Sequence, residues 1–151
     1  MPELFTREFH VRWGDLDFNG HMKNTAYLDT AADVRLMYFD SRGFSLREFE
    51  RLRIGPVILQ EELQYFRELR MLQTVTVTLA AAGLSEDGSR FRLRNEFFGE
   101  GGKLAAHVFS TGGWLDQSAR KLTRPPEGIA EAMRGLVKDE NFVVLPSNLE
   151  R

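Results

Sequence analysis

Between Arg12 and Asn24 the chain gathers Asp15, Asp17, Asn19, His21 and Asn24 into a few positions, a density of proton-handling groups that no other segment matches. A carboxylate held near an electrophilic carbonyl can attack its carbon or take a proton from water, provided solvent does not fully quench its charge. An Asn amide can orient a water or a carboxylate, and a His can donate to or accept from a leaving group. The same residue types also organise loops: Asp17 could close an Asx-turn, and Asn19 and His21 could spend their hydrogen bonds on nearby backbone. The spacing of Asp17 to Asn19 and His21 favours catalysis at Asp17 and leaves both readings open for the other two.

Positioning such a loop needs a strand before it and a helix after it. From Phe5 to Trp13 apolar and polar residues alternate, with Arg7 out of step, which is the period of a half-buried strand. Asn24 and Thr25 are good N-cap types, and Leu28, Ala31, Ala32, Arg35 and Phe39 then recur at helical spacing, widened by Tyr27, Val34 and Tyr38. Gly43 suits the helix stop. A short second helix is expected within Phe44 to Arg53. The first turn of the long helix leaves backbone N–H groups unpaired at Asn24 and Thr25 and puts positive potential there, where a developing oxyanion could be held.

Extended segments follow: Ile54 to Phe66, Thr74 to Ala81, Arg90 to Phe98 and Leu104 to Leu115. They are separated by turn chemistry at Ser85-Glu86-Asp87-Gly88 and Glu100-Gly101-Gly102-Lys103. Four strands on short turns predict an antiparallel meander, joined by the first strand and covered on one face by the long helix. Arg124-Pro125-Pro126-Glu127 reads as a further helix start, with Ile129, Met133, Leu136 and Val137 as its apolar side. The pattern predicts one α+β domain over residues 1–138 and a tail over 139–151, whose apolar piece Phe142-Val143-Val144-Leu145 finds no place.

The chain has 151 residues, 42% of them hydrophobic, enough for one core. Twenty basic and 22 acidic side chains give a net charge of -2, which offers no electrostatic footprint for nucleic acid. Cysteine is absent, so disulfides, Cys-metal sites and a Cys nucleophile are excluded. His10 and His107 lack metal-spaced partners, and neither a phosphate loop nor a Ser elbow occurs. The N-terminal residues lack a signal-peptide pattern, and no apolar run approaches the ~20 residues that span a bilayer. A cytoplasmic protein without membrane contact is expected. Arg90, Arg92 and Arg94 form a basic stripe on one strand face, either solvated or available to phosphates.

The segment Asp15-Leu16-Asp17-Phe18-Asn19-Gly20-His21-Met22-Lys23-Asn24-Thr25-Ala26-Tyr27 resembles the Asp-x-Asp-x-Asn-x-His-Val-Asn-Asn-x-x-Tyr pattern of hotdog-fold acyl thioesterases. These include the 4-hydroxybenzoyl-CoA thioesterase-like enzymes and the plant acyl-carrier-protein thioesterases. The resemblance runs from about Phe5 to about Leu115. It departs at Met22, at Lys23 and at Leu72-Gln73, where the family usually has Val, Asn and Gly-Asp.

The resemblance implies an antiparallel five-stranded sheet wrapped around a long central helix, assembled as a homodimer or homotetramer. It implies hydrolysis of an acyl-CoA, or an acyl-carrier-protein thioester, with no cofactor and no metal. Asp17, Asn19 and His21 would be catalytic. Glu68, in Tyr65-Phe66-Arg67-Glu68-Leu69, would join them, although a solvated Glu paired with Arg67 or Arg70 explains the residue equally well. Asn24, Thr25 and Tyr27, with Arg90 and Arg92 as phosphate partners, would bind substrate. A hotdog hydratase or dehydratase carries Asp-x-Asn-Pro-Ile/Leu-His instead, and Gly20-His21 directly after Asn19 argues against it. A non-catalytic acyl-binding protein is the remaining alternative.

Overall fold

The computed structural model describes residues 2–149, and Met1, Glu150 and Arg151 at the ends of the expected domain and tail lie outside them. Strand β1 (Phe5–His10) leads through the polar loop into helix α1 (Asn24–Ser41) and the short α2 (Leu46–Leu52). The strands β2 (Ile54–Tyr65), β3 (Thr74–Ser85), β4 (Arg90–Phe98) and β5 (Leu104–Asp116) follow, then β6 (Lys121–Thr123), α3 (Glu127–Arg134) and β7 (Lys138–Leu145). Among the described residues the sheet has seven strands, in the order β1-β3-β4-β5-β2, with β6 added to β5 and β7 added to β3. The expected five strands are therefore an undercount. β6 is too short to show a period, and β7 lies in the apolar piece that the pattern could not place.

All pairs are antiparallel except β3 with β7. A parallel neighbour needs a long connection, here running through β4, β5, β6 and α3, and nothing local in the sequence announces such a pairing. The tail is also held at its end: Asp87 accepts from Ser85, Ser89 and Ser147, while Asn148 accepts from Arg90 at 2.7 Å. Burial raises the Asp87 carboxyl, but the hydrogen bonds from Ser147, Ser89 and Ser85 outweigh it and hold the group well below the usual carboxylate range.

The core lies between α1 and the sheet and is rich in aromatics. Trp114 meets Phe39, Phe49 and Phe91, and Tyr27 meets Phe97 and Tyr65 edge to face. Phe91, Leu93 and Phe97 point inward on β4, as their alternation predicts. On α1 the buried stripe runs through Tyr27, Ala31, Val34, Arg35, Tyr38 and Phe39. Leu28 is only half-buried, and Leu36 is 47% exposed. A bulge between Ile58 and Gln60 interrupts the β2–β5 register. There Gly112 brings β5 so close that any Cβ would strike the Val57 carbonyl. Among the described residues no helix is long and apolar enough to cross a membrane.

Candidate active site

The loop after β1 is built around two aspartates with different duties. The carboxylate of Asp15 accepts from the Arg12 backbone N–H at 2.9 Å and from its Nε and Nη2 at 3.1 and 3.0 Å. These bonds hold the Asp15 carboxyl below its ordinary value. Its carbonyl takes the Lys23 N–H at 2.8 Å, which ties the loop to the start of α1. Asp15 thus fixes where the helix begins. A cleft of about 250 Å³ borders it, but Arg12 already occupies the carboxylate.

Asp17 sits at the tip of a tight turn. Its N–H donates to the His21 carbonyl at 2.8 Å, and Gly20, at φ 76°, turns its own N–H onto the Asp17 carbonyl. One carboxylate oxygen accepts the backbone N–H groups of Asn19 at 2.8 Å and His21 at 3.2 Å. The Asx-turn is formed: Oδ1 organises the loop, while Oδ2 has no protein partner among the described residues. The N–H groups of His21 and then Asn19 depress the Asp17 carboxyl and keep it ionised.

Facing the loop is the segment after β2. His21 bridges to Arg70 as an isolated β-pair, and Met22 donates its N–H to the Leu69 carbonyl at 2.8 Å. This seam places His21 Nε2 3.0 Å from Glu68 Oε2, and Arg70 Nη2 lies 3.3 Å from the same oxygen. The surface pairing of Glu68 with Arg70 is thus real, and so is its contact with His21.

A cleft of about 550 Å³ gathers Asp17, His21, Asn24, Tyr27, Tyr65 and Glu68. Asn19, Thr25, Arg90 and Arg92 do not line it. Asn19 contributes through its backbone N–H to Asp17. Arg90 is engaged by Asn148, and Arg92 stacks over Phe109 with Glu62 at 3.9 Å.

Tyr27 is 1% exposed, and burial, assisted by Tyr65 and the Asp17 charge, pushes its phenol up to about 12. It stays a neutral donor, without a protein partner for its hydroxyl among the described residues.

The N-cap of α1 is Lys23, one residue before Asn24 and two before Thr25, the caps expected, and its side chain makes no capping bond. The first intrahelical bonds are made by Ala26 and Tyr27, so the Asn24 and Thr25 N–H groups have no backbone partner among the described residues, and of the two only Asn24 lines the cleft. Among the described residues no cluster of His, Asp and Glu is arranged to hold a metal.

Two site features escape the sequence pattern. Tyr65 reads as a strand residue, yet it closes the cleft against Tyr27 with ring centroids 5.5 Å apart. Past Phe66 the cleft adjoins a second one of about 500 Å³, where the basic Arg67, Arg70 and Lys103 stand with Glu68 and Glu100. They come from two separate segments, so no run of basic residues announces them.

Known structures share this architecture. Protein SAV2348 from Staphylococcus aureus, solved in complex with CoA, is 28% identical over 90% of this chain and 87% of its own, with a TM-score of 0.80. The 1,4-dihydroxy-2-naphthoyl-CoA thioesterase Slr0204 from Synechocystis is 18% identical, over 87% of this chain and 96% of its own, with a TM-score of 0.78. The DHNA-CoA thioesterase from Staphylococcus aureus is 21% identical, over 87% of this chain and 89% of its own, at a TM-score of 0.78. The last two likenesses speak for the fold, which is the hotdog fold. No curated protein matches in sequence. The sequence pattern of one family spans residues 11–133, from the end of β1 through α3, and the chain belongs to that family, the Thioesterase-like superfamily.

Proposed function

We propose that the protein hydrolyses an acyl-CoA thioester to the free acid and coenzyme A. The observation that carries this reading is the free Asp17 oxygen, in one cleft with Asn24, whose unpaired N–H begins α1. The thioester carbonyl oxygen would sit on the Asn24 N–H group, where the helix end stabilises the negative charge of the tetrahedral intermediate. Asp17 either accepts the proton of a water that attacks the carbonyl carbon, or attacks that carbon itself to give an acyl anhydride that a water then cleaves to the free acid and the regenerated carboxylate. As the C–S bond breaks, the thiolate takes up a proton within reach of the His21–Glu68 pair. Tyr27, a neutral donor in the same cleft, orients the acyl carbonyl or the Asp17 carboxylate.

The carrier is coenzyme A in this reading because of the three basic side chains of the adjoining cleft, of which Arg70 is already paired with Glu68. Arg67, Arg70 and Lys103 suit phosphate groups, and the SAV2348 complex shows CoA bound on a related chain. Strand β2 pairs on one side only and exposes Leu59 and Tyr65, which supports an isologous dimer closing the cleft along that edge. Thiol release from a panel of acyl-CoAs tests the function. Release above the uncatalysed rate from at least one chain length is expected, whereas binding without release from any of them would make the protein a carrier.

A further inference from the structure

Three clefts adjoin one another around the loop after β1. The catalytic cleft shares Phe66, Arg67, Glu68 and Leu69 with the cleft that holds Lys103. It shares Met22 with the cleft of about 250 Å³ between the end of β1 and α1. Tyr27 of the catalytic cleft and Phe97 of that neighbour meet edge to face, with ring centroids 5.1 Å apart. Met22 and this ring pair therefore stand between the two hollows.

The catalytic cleft is shallow at Tyr65 and Phe66, both exposed, and deepest at Met22, Tyr27 and Leu69, all buried. With the carrier leaving past Phe66, the acyl group points to the deep end. The walls there give way unequally. Tyr27 is wedged between Tyr65 and Phe97. Met22 is fixed through its backbone, whose N–H donates to the Leu69 carbonyl at 2.8 Å, and it bridges to Leu16. Its side chain is unbranched, turns about three bonds and has no hydrogen bond to lose. Beyond it, Phe9, Val11, Val75 and Phe97 give the neighbouring cleft an apolar side, which half-buried Thr30 and exposed Asp33 face from α1.

On α1, Tyr27 lies about 4.5 Å beyond Asn24 along the helix axis, so little room separates a carbonyl on the Asn24 N–H from the deep wall. A chain that outgrows this end must displace Met22 or leave its apolar carbons in water. We infer that Met22 closes the acyl end of the catalytic cleft and sets the size of the acyl group, holding the wild type to compact ones, with the hollow behind it as the space that a shorter side chain would open. The inference rests on the acyl-CoA hydrolase reading. Met22 acts by bulk alone, so shortening it joins the two clefts without removing any proton-handling group.

The test measures thiol release from butanoyl-CoA, benzoyl-CoA and decanoyl-CoA by the wild type, by Met22→Ala and by Met22→Ala combined with Thr30→Phe, with a melting curve for each. The wild type is expected to favour a compact acyl group over decanoyl. Met22→Ala should raise kcat/KM for decanoyl-CoA, relative to the better compact substrate, by about tenfold or more. Thr30→Phe fills the hollow from a position outside the catalytic cleft and should cancel that gain. Met22→Val removes less bulk, serves if Met22→Ala fails to fold, and should move the ratio in the same direction. A wild type that favours decanoyl-CoA, a ratio unchanged in the Met22 variants, or a gain that survives Thr30→Phe would overturn this inference alone. Release from none of the three substrates by the wild type would overturn the hydrolase reading together with it.

Discussion

His21 Nε2 lies 3.0 Å from Glu68 Oε2, across the seam where the loop after β1 meets the segment after β2. His21 has two separable jobs: its backbone N–H holds Asp17, and its ring meets Glu68. Substitution of the ring therefore leaves the Asp17 anchor in place.

His21→Ala and Glu68→Gln should each lower kcat by about 10–10² through loss of proton transfer or orientation, with KM little changed. The double variant should be no worse than the poorer single one, since the two groups act as a pair. Steady-state kinetics on one acyl-CoA, with melting curves for each variant, check this. Multiplied losses in the double variant would separate the two roles.

The basic side chains of the cleft beyond Phe66 give a prediction about the carrier. Arg67→Ala removes one charge beside Lys103 and Arg70 without touching Glu68's own partners. KM for acyl-CoA should rise several-fold with kcat preserved, and KM for the matching acyl-pantetheine, which lacks the nucleotide phosphates, should not move. An equal rise for both would place the phosphates elsewhere.

Asp87 links the hairpin between β3 and β4 to Ser147 near the C-terminal end. Asp87→Asn should cost about 1–3 kcal/mol at neutral pH, because several hydrogen bonds to one ionised acceptor weaken together. The native carboxyl is depressed below its unfolded value of about 3.9, so its stabilisation is complete above that pH and disappears as pH falls through the folded value. The difference in unfolding free energy between wild type and Asp87→Asn should hold constant from neutral pH down to about 4 and shrink below it. Denaturant unfolding across that range measures it.

Much of this was written in local pattern. β4 alternates so cleanly that its buried Phe91, Leu93 and Phe97 follow directly, and the Asp17–His21 turn lies within five consecutive residues, where Gly20 supplies the positive φ. What failed was non-local. β7 pairs in parallel with a strand far back in the chain, and its register with Gly83 to Ser85 depends on packing of Leu145 against Gly83 that no period encodes. The meeting of His21 with Glu68, and of Arg35 with Ser110 and Glu61, joins segments far apart in sequence. Arg35 on an apolar stripe carried a signal, a charge where a hydrophobe belonged, but nothing in the helix period said what it faced.

The most direct test is turnover by Asp17→Asn. The amide is isosteric, its oxygen can still accept the Asn19 and His21 N–H groups, and folding should be unchanged. A fall in kcat of about 10³ or more on acyl-CoA, with an unaltered melting temperature and retained CoA binding, is the predicted result. Near-full kcat in that variant would contradict the account.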